Sequence, residues 1–416
     1  MEYLQRTVDL ELDELMDLAP AIALDGPKGV GKTGTAVRRA QHLRFLDDAD
    51  ERALVEADPS FSSVPAGTVL IDEWQRLASV WDAVRRQVDR GAPAGRFLLT
   101  GSATPRTDVD THSGAGRILS LRMRPMALHE RGLTQPTVSL GALLAGTSAE
   151  VTGTSGFLLS DYVEAITSSG FPGLMSAPDR LRTAQLDAYL YRVIERDLPE
   201  QGYVVRRPET LRRWLAAYAA ASSTPTAYSR ILDMATAGDG SQPAKTTTIA
   251  YRDHLTQLWL LDPIPGWSHS RSMFTQLQQA PKHQLADPAL AARLLNLSSR
   301  ALLTPRGAAM TGPLFESLAA LTVRVGAQAS QARVGHLRTS RGDREIDLIV
   351  EGIEGQVLGI EVKLSPSVDD SDVRHLLWLR DQLGEDVVDL VILTTGGGAY
   401  RRPDGVAVVP LALLGP

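Results

Sequence analysis

The sequence predicts an α/β protein in three parts: an N-terminal parallel-sheet domain (residues 1–135), a helical middle domain (136–305) and a smaller C-terminal α/β domain (306–416). Three observations predict it. Short apolar, β-rich runs alternate with helical patterns in the first third. A glycine-rich segment with a fixed Lys-Thr ending follows the first of these runs. From residue 158 the periodicity becomes helical, and after Pro313 it returns to mixed strand and helix.

The composition fits this division. With 416 residues the chain is long for a single core. Its 43% hydrophobic and 22% charged content is that of an ordinary globular protein. There are no cysteines, which excludes disulfides and thiolate metal sites. Residues 1–18 carry six acidic side chains and lack the basic start and apolar run of a signal peptide. No uncharged apolar stretch of about 18 residues could span a bilayer. The expectation is therefore a cytoplasmic protein with no membrane partner. A net charge of -6 argues against a basic surface coat, while leaving room for a local basic groove.

Residues 21–24, 53–56, 68–71 and 96–99 read as buried parallel strands. A helix is expected over 33–46, after the glycine-rich turn. Residues 134–156, rich in Thr, Ser, Gly and Ala, read as a linker or crossover, with 140–144 as a short helix within it. Helices follow over 181–198, 209–221 and 246–260. The last has capping chemistry in Thr246, Thr247 and Thr248 and is stopped by Pro263 and Pro265. A winged helix is one form this middle domain can take. The C-terminal part predicts a helix over 314–325, strands over 345–350, 357–363 and 387–394, and a helix over 373–382. No internal repeat is visible.

Gly26-Pro27-Lys28-Gly29-Val30-Gly31-Lys32-Thr33 fits G-x-x-x-x-G-K-[ST] between a strand and a helix. Glycines let successive backbone N–H groups turn toward phosphate oxygens, and the helix N-terminus adds its positive dipole end. Lys32 is expected on the β- and γ-phosphates of ATP, and Thr33 on Mg²⁺. Downstream, Val69-Leu70-Ile71-Asp72-Glu73 is an apolar strand ending in two carboxylates, where a parallel sheet presents its ligands. Asp72 is expected to hold the magnesium and Glu73 to act as general base on water. Such a strand end is elsewhere merely solvated; the neighbouring phosphate loop makes it the second half of a site. The next strand ends in Thr100-Gly101-Ser102, which offers hydroxyls from Thr100 and Ser102 to the γ-phosphate, with a plain Gly-Ser turn as the alternative.

These segments resemble the P-loop (Walker A), the second acidic motif (Walker B) and the sensor strand of the AAA-type ATPases. More narrowly they resemble bacterial and archaeal ATP-binding proteins that carry a C-terminal domain of unknown function. Gly116-Arg117, Met123-Arg124-Pro125-Met126 and Glu130 resemble that group's closing segment. Gly170-Phe171-Pro172, Glu195-Arg196-Asp197-Leu198 and Leu285-Ala286-Asp287-Pro288 extend the likeness over nearly the whole chain. The resemblance implies ATP and Mg²⁺ as cofactors, and hydrolysis by Glu73 and Lys32. It also implies a role for Arg117 as an arginine finger or sensor for its own or a neighbouring subunit's nucleotide, the second of which would require a homo-oligomer. A surface arginine is the plainer account of Arg117.

In the last domain Asp347 lies on one predicted strand, and Glu361 and Lys363 lie two apart on the next, projecting to one side. Two carboxylates can hold a divalent metal while a lysine orients water. The pattern resembles the D…E-x-K core of the restriction-endonuclease-like superfamily, with Glu316 as its additional acidic residue on the preceding helix. Arg338, Arg341, Arg344 and Arg374 are the nearest basic groups for DNA, whereas Asp369-Asp370-Ser371-Asp372 would repel it. Convergent side chains with weak or absent cleavage are expected. His112, His254, His269, His283, His336 and His375 show no metal-ligand spacing, and Trp214, Trp259 and Trp267 are read as helix-packing residues. The expected task is ATP-dependent binding or remodelling of DNA, including branched or forked DNA. The alternative is a nucleotide-controlled switch whose C-terminal domain binds a protein; a small-molecule kinase ranks third because Glu73 suits water activation.

Overall fold

Val, Ile, Leu and Phe fill the apolar runs of the first third, and these form a five-stranded, all-parallel sheet. Its strands are β1 (Ala21–Asp25), β2 (His42–Phe45), β3 (Val69–Asp72), β4 (Phe97–Gly101) and β5 (Leu119–Arg122). They lie in the order β2-β3-β4-β1-β5. Every residue of β3 and β4 is buried, and all of β1 except Asp25, as expected of strands covered on both faces. Phe61, Trp74, Trp81 and Phe97 pack with Val55, Ile71 and Leu99 on one face. The computed structural model describes residues 3–101, 115–146, 150–237, 243–268, 279–339 and 342–416.

Two expectations fail in this sheet. Residues 53–56 belong to the helix Ala49–Ala57, not to a strand. Asp48 caps that helix by accepting from the Asp50 N–H, and Asp50 and Glu51 occupy its first turn. A four-residue apolar run cannot separate a period of 2 from one of 3.6, so the capping residues decide. The helix expected over 33–46 ends at Val37 (Lys32–Val37), because His42–Phe45 pairs with β3 instead. Strand pairing here outweighs local helical pattern.

The chain divides into two compact units. The first comprises Met1–Arg124, Arg196–Val204 and Asp253–Leu260; the second comprises Pro125–Glu195, Val205–Arg252 and Leu261–Pro416. The middle of the chain is helical. The helix Asp179–Arg192 passes into a π-helical turn, Val193–Asp197, and a last turn, Leu198–Glu200. Pro208–Ala220 and Lys245–Gln257 follow. The 140–144 segment is a helix (Leu140–Leu144), capped by the Ser139 hydroxyl, which accepts from the Ala142 N–H.

In the second unit β6 (Val138–Ser139) pairs with β13 (Leu414–Gly415). A six-stranded mixed sheet is built from β7 (Arg333–Arg338), β8 (Glu345–Glu351), β9 (Val357–Val362), β10 (Val387–Thr394), β11 (Tyr400–Arg401) and β12 (Ala407–Pro410). The order is β11-β12-β10-β9-β8-β7, parallel at β9/β10 and β10/β12 and antiparallel elsewhere. The helix Asp370–Leu383 crosses from β9 to β10 and buries Val373, Leu376 and Leu379 against Ile349, Leu390 and Ile392. The helix expected over 314–325 is longer, Ala308–Ala329, and carries Pro313 in its second turn. The protein is thus α/β, with an N-terminal parallel sheet, a helical middle and a C-terminal mixed sheet. Among the described residues no helix is long and apolar enough to cross a membrane.

Candidate functional site

β1 ends at Asp25, and the loop from Gly26 to Gly31 leads straight into the helix that starts at Lys32. Gly29 (φ 78°) and Gly31 (φ 105°) adopt backbone conformations that side chains disfavour. A Cβ on Gly26 would lie 2.1 Å from the Met123 carbonyl oxygen, so only glycine permits that approach. Lys32 is buried, and its Nζ donates to the carbonyls of Gly26 (2.6 Å) and Pro27 (2.8 Å). Burial disfavours its ammonium form and pulls the pKa down to about 8, against the opposing charges of Glu73, Asp25 and Asp72.

Strand register aligns the carboxyl ends: Asp72 lies beside Thr100, and Thr100 beside Leu24. Thr33 Oγ1 donates to Asp72 Oδ1 at 2.8 Å, and Thr100 Oγ1 donates to the same oxygen. Glu73 follows in a left-handed conformation (φ 54°, ψ 43°), which takes it out of the strand. Gln75 Nε2 donates to its Oε2. Burial, then the neighbouring Asp72 charge, raises the Glu73 pKa. Burial also raises that of Asp25, a residue sequence reasoning had passed over although it ends the strand before the loop.

Lys28 pairs with Asp197 at 2.5 Å and with Glu200 at 3.8 Å. Asp197, nearly buried at the end of the π-helical turn, thus joins Glu195-Arg196-Asp197-Leu198 to the glycine-rich loop. The sequence motif was visible, but its contact was not. Arg117 does not join this group: it pairs with Asp89 at the end of the helix Ser79–Asp89 (3.0 Å), and its side chain is 49% exposed. Ser102 lies outside the described residues.

A second cluster forms on the C-terminal sheet. One step beyond the Leu348–Ile360 pair of β8 and β9, Asp347 meets Glu361, and the two carboxyl groups share a hydrogen bond. The Val362 N–H donates to Asp347 Oδ2 at 2.9 Å. Lys363 Nζ lies 3.6 Å from Glu361 and 3.8 Å from Asp372. Glu316 reaches in from the helix Ala308–Ala329. What no spacing signalled is Lys282, whose ammonium bonds Asp347 (2.8 Å) and Glu316 (3.0 Å) and lies 3.3 Å from Glu345. Burial raises Glu361 well above the carboxylate range and Glu316 to about 8. Burial acts on Asp347 too and is the largest single influence, but the Lys282 charge and hydrogen bond, with the hydrogen bonds of the Val362 N–H and Glu361, together outweigh it and the Asp347 pKa falls. Among the described residues, no group of three or more His, Cys, Asp or Glu could hold a metal ion.

The candidate basic groups are dispersed. Arg338 is 3.9 Å from Glu345, the Arg344 guanidinium lies over Trp378, and Arg374 lies beside His375. Arg341 falls outside the described residues, as do His112 and His269. Asp369 caps the helix Asp370–Leu383 by accepting from the Ser371 N–H, which gives the acidic run a structural role. Of the three tryptophans only Trp214 packs from within a helix. Trp259 follows a helix end under the Arg122 guanidinium, and Trp267 lies beside β7 with its Nε1 donating to Glu351.

The remaining motifs form a buried knot in the second unit. Asp287 caps the helix Pro288–Leu294 through the Ala289 N–H (2.7 Å) and accepts from the Gly170 N–H (2.6 Å) and the Ser169 hydroxyl (3.1 Å). The Gly170 carbonyl accepts from the Met126 N–H, and Arg131 donates to the carbonyls of Met126 and Ala165. Glu130 closes the turn on the Ala127 N–H. Nearly every polar group here has a structural partner, as burial demands.

Residues 19–131 match the family described as an AAA domain. That match spans the parallel-sheet region. Residues 159–301 and 311–414 match two domains of unknown function, DUF8612 and DUF4143. The chain is similar to an uncharacterized protein of Mycobacterium tuberculosis and one of Mycobacterium bovis. Each is 26% identical over 420 residues, covering 98% of this chain and 83% of the relative. Among solved structures it is similar to a Walker-type ATPase of Pyrococcus abyssi (TM-score 0.43, 15% identity, 70% of this chain and 96% of that one). It is also similar to the ORC2 protein of Aeropyrum pernix (TM-score 0.29, 14% identity, 70% and 90%).

Proposed function

We propose that the protein binds ATP with Mg²⁺ at residues Gly26 to Thr33 and hydrolyses it. The observation that carries this is the 2.8 Å hydrogen bond from Thr33 Oγ1 to Asp72 Oδ1. Adjacent ligands of an octahedral magnesium with bonds of ~2.1 Å lie about 3 Å apart, so these two oxygens have the spacing to share one ion. Bound magnesium would neutralise phosphate charge. The loop N–H groups from Gly26, Pro27, Lys28, Gly29, Val30 and Gly31 onward would hold the phosphates. Lys32 would exchange its two loop carbonyls for phosphate oxygens. Glu73, its basicity raised by burial, would take the proton of the attacking water, with Thr100 steadying Asp72. To Ser102 we assign a hydroxyl contact with the γ-phosphate. Arg117 we assign to a neighbouring subunit's nucleotide in a homo-oligomer; its exposure and its absence from the Asp72 group support that role.

The partner we propose is DNA, and the setting the cytoplasm. Support comes from the C-terminal sheet, where Asp347, Glu361 and Lys363 share one face in the manner of the restriction-endonuclease-like core. The second reading is a nucleotide-controlled switch that binds a protein; the net charge of -6 and the Lys282-filled acidic cluster favour it. ATPase rates with and without single-stranded, duplex and forked DNA test both. A rate that rises with DNA, and loses that rise as salt increases, supports the first. An unchanged rate supports the second, and no hydrolysis at all overturns both.

A further inference from the structure

Lys282 is 1% exposed and stands among carboxylates drawn from two elements, the helix Ala308–Ala329 and β8. Its backbone is fixed, since Lys282 and Ile264 exchange N–H···O bonds of 2.9 Å in each direction. The side chain therefore cannot leave without breaking that bridge or changing rotamer. An ammonium has three donors, and three carboxylates surround it: Asp347, Glu316 and Glu345 at 2.8–3.3 Å. Asp347 uses its other oxygen for the Val362 N–H. Carboxylates of the kind that bind hard divalent cations gather here, and the Val362 N–H orients one of them, yet the position they face is taken by a tethered monovalent charge.

We propose that Lys282 is the resident cation of this site: it takes the place of a divalent metal, holds Glu316, Glu345 and Asp347 together, and closes the cluster to metal. The reasoning is electrostatic. Asp347 and Glu316, close together and largely buried, repel each other unless a cation lies between them, and a single buried charge left without its partner is strongly destabilising. Removing the ammonium should therefore create a demand for positive charge that a metal ion can meet. This inference is independent of the ATPase reading, because it concerns only the second unit.

The test uses the full-length chain stripped of metal with EDTA, without nucleotide. Melting temperature and bound Mn²⁺, counted by electron paramagnetic resonance, are compared for wild type, Lys282→Ala and Lys282→Met. Any ion at the glycine-rich loop is common to all three and drops out of the difference. The wild type's second-unit transition should fall at the same temperature with and without Mn²⁺. Lys282→Ala should melt lower in EDTA, bind one more Mn²⁺ than wild type, and recover by roughly 5–10 °C at a large excess of the ion. Adding Asp347→Asn should abolish that extra ion. Lys282→Met keeps the apolar stem and serves if Lys282→Ala does not fold in EDTA. The proposal is overturned if folded variants bind no additional Mn²⁺ or if neither variant folds even with Mn²⁺ present. It also fails if wild type holds an ion that Asp347→Asn removes.

Discussion

Lys32 and Glu73 occupy similar ground and would fail differently. Lys32→Ala deletes the buried cation of the loop, so nucleotide binding should be lost. Glu73→Gln keeps shape and hydrogen bonding but not the proton acceptor, so binding should persist while kcat falls about 10²- to 10⁴-fold. Binding of a fluorescent ATP analogue and phosphate release check both; equal turnover by Glu73→Gln and wild type would remove Glu73 from the chemistry. His336 tests a different effect. Burial, then the nearby Lys282 charge, lowers its pKa to about 4, while its Nε2–H donates to the Ala280 carbonyl. Between that value and the unfolded value of about 6.5, the unfolded chain binds a proton that the folded chain refuses. Stability should therefore fall as pH drops, by about 2 kcal/mol from pH 7 to pH 5 on this residue's account. His336→Gln removes that contribution. Denaturant melts of the pair should show a wild-type advantage that shrinks with acid; a gap constant with pH would contradict the assignment.

The glycine-rich loop does not stand alone as an element. Its Lys28 is held by Asp197 from a π-helical turn, a feature that interrupts the regular i→i−4 bonding and turns Asp197 toward the loop. Asp197 places a negative charge next to a loop that is to receive phosphates. Asp197→Asn should release Lys28 toward the nucleotide and remove that repulsion, tightening ATP binding roughly 3- to 10-fold. Titration with the same fluorescent analogue measures it. Weaker binding would mean instead that the Lys28–Asp197 pair holds the loop in its receptive shape.

Two compact units within one chain imply that unfolding is not a single cooperative event. Calorimetry should resolve two transitions. Mg²⁺ with a non-hydrolysable ATP analogue should raise the one belonging to the first unit by several degrees and leave the other unmoved, since a ligand stabilises only the state and unit that bind it. A joint shift of both would show that nucleotide binding is energetically coupled to the second unit. The first unit includes residues 196–204 and 253–260 besides the N-terminal stretch. Asp197 therefore belongs energetically to the loop it contacts, far from it in sequence.

What the sequence determined by itself was whatever depends on neighbours along the chain. The glycines, Lys32 and Thr33 between strand and helix, the apolar strand ending in Asp72 and Glu73, and the strand ending in Thr100 were all legible, because phosphate-loop and parallel-strand chemistry is local in spacing. So was the shared face of Glu361 and Lys363, which follows from the two-residue period of strands, whereas Asp347 stands beside Glu361 only because β8 and β9 pair. The tertiary structure alone decided that residues 42–45 form a strand, because pairing with β3 competes with a helix only once β3 exists. It alone decided that Asp197 answers Lys28, that Asp287 ties Ser169 and Gly170 to a helix cap, and that Lys282 fills the acidic cluster. Each of the first and last of these is one charge meeting another across a long stretch of chain. Electrostatic and hydrogen-bond partners are chosen by distance in space, and no spacing in the sequence records that distance.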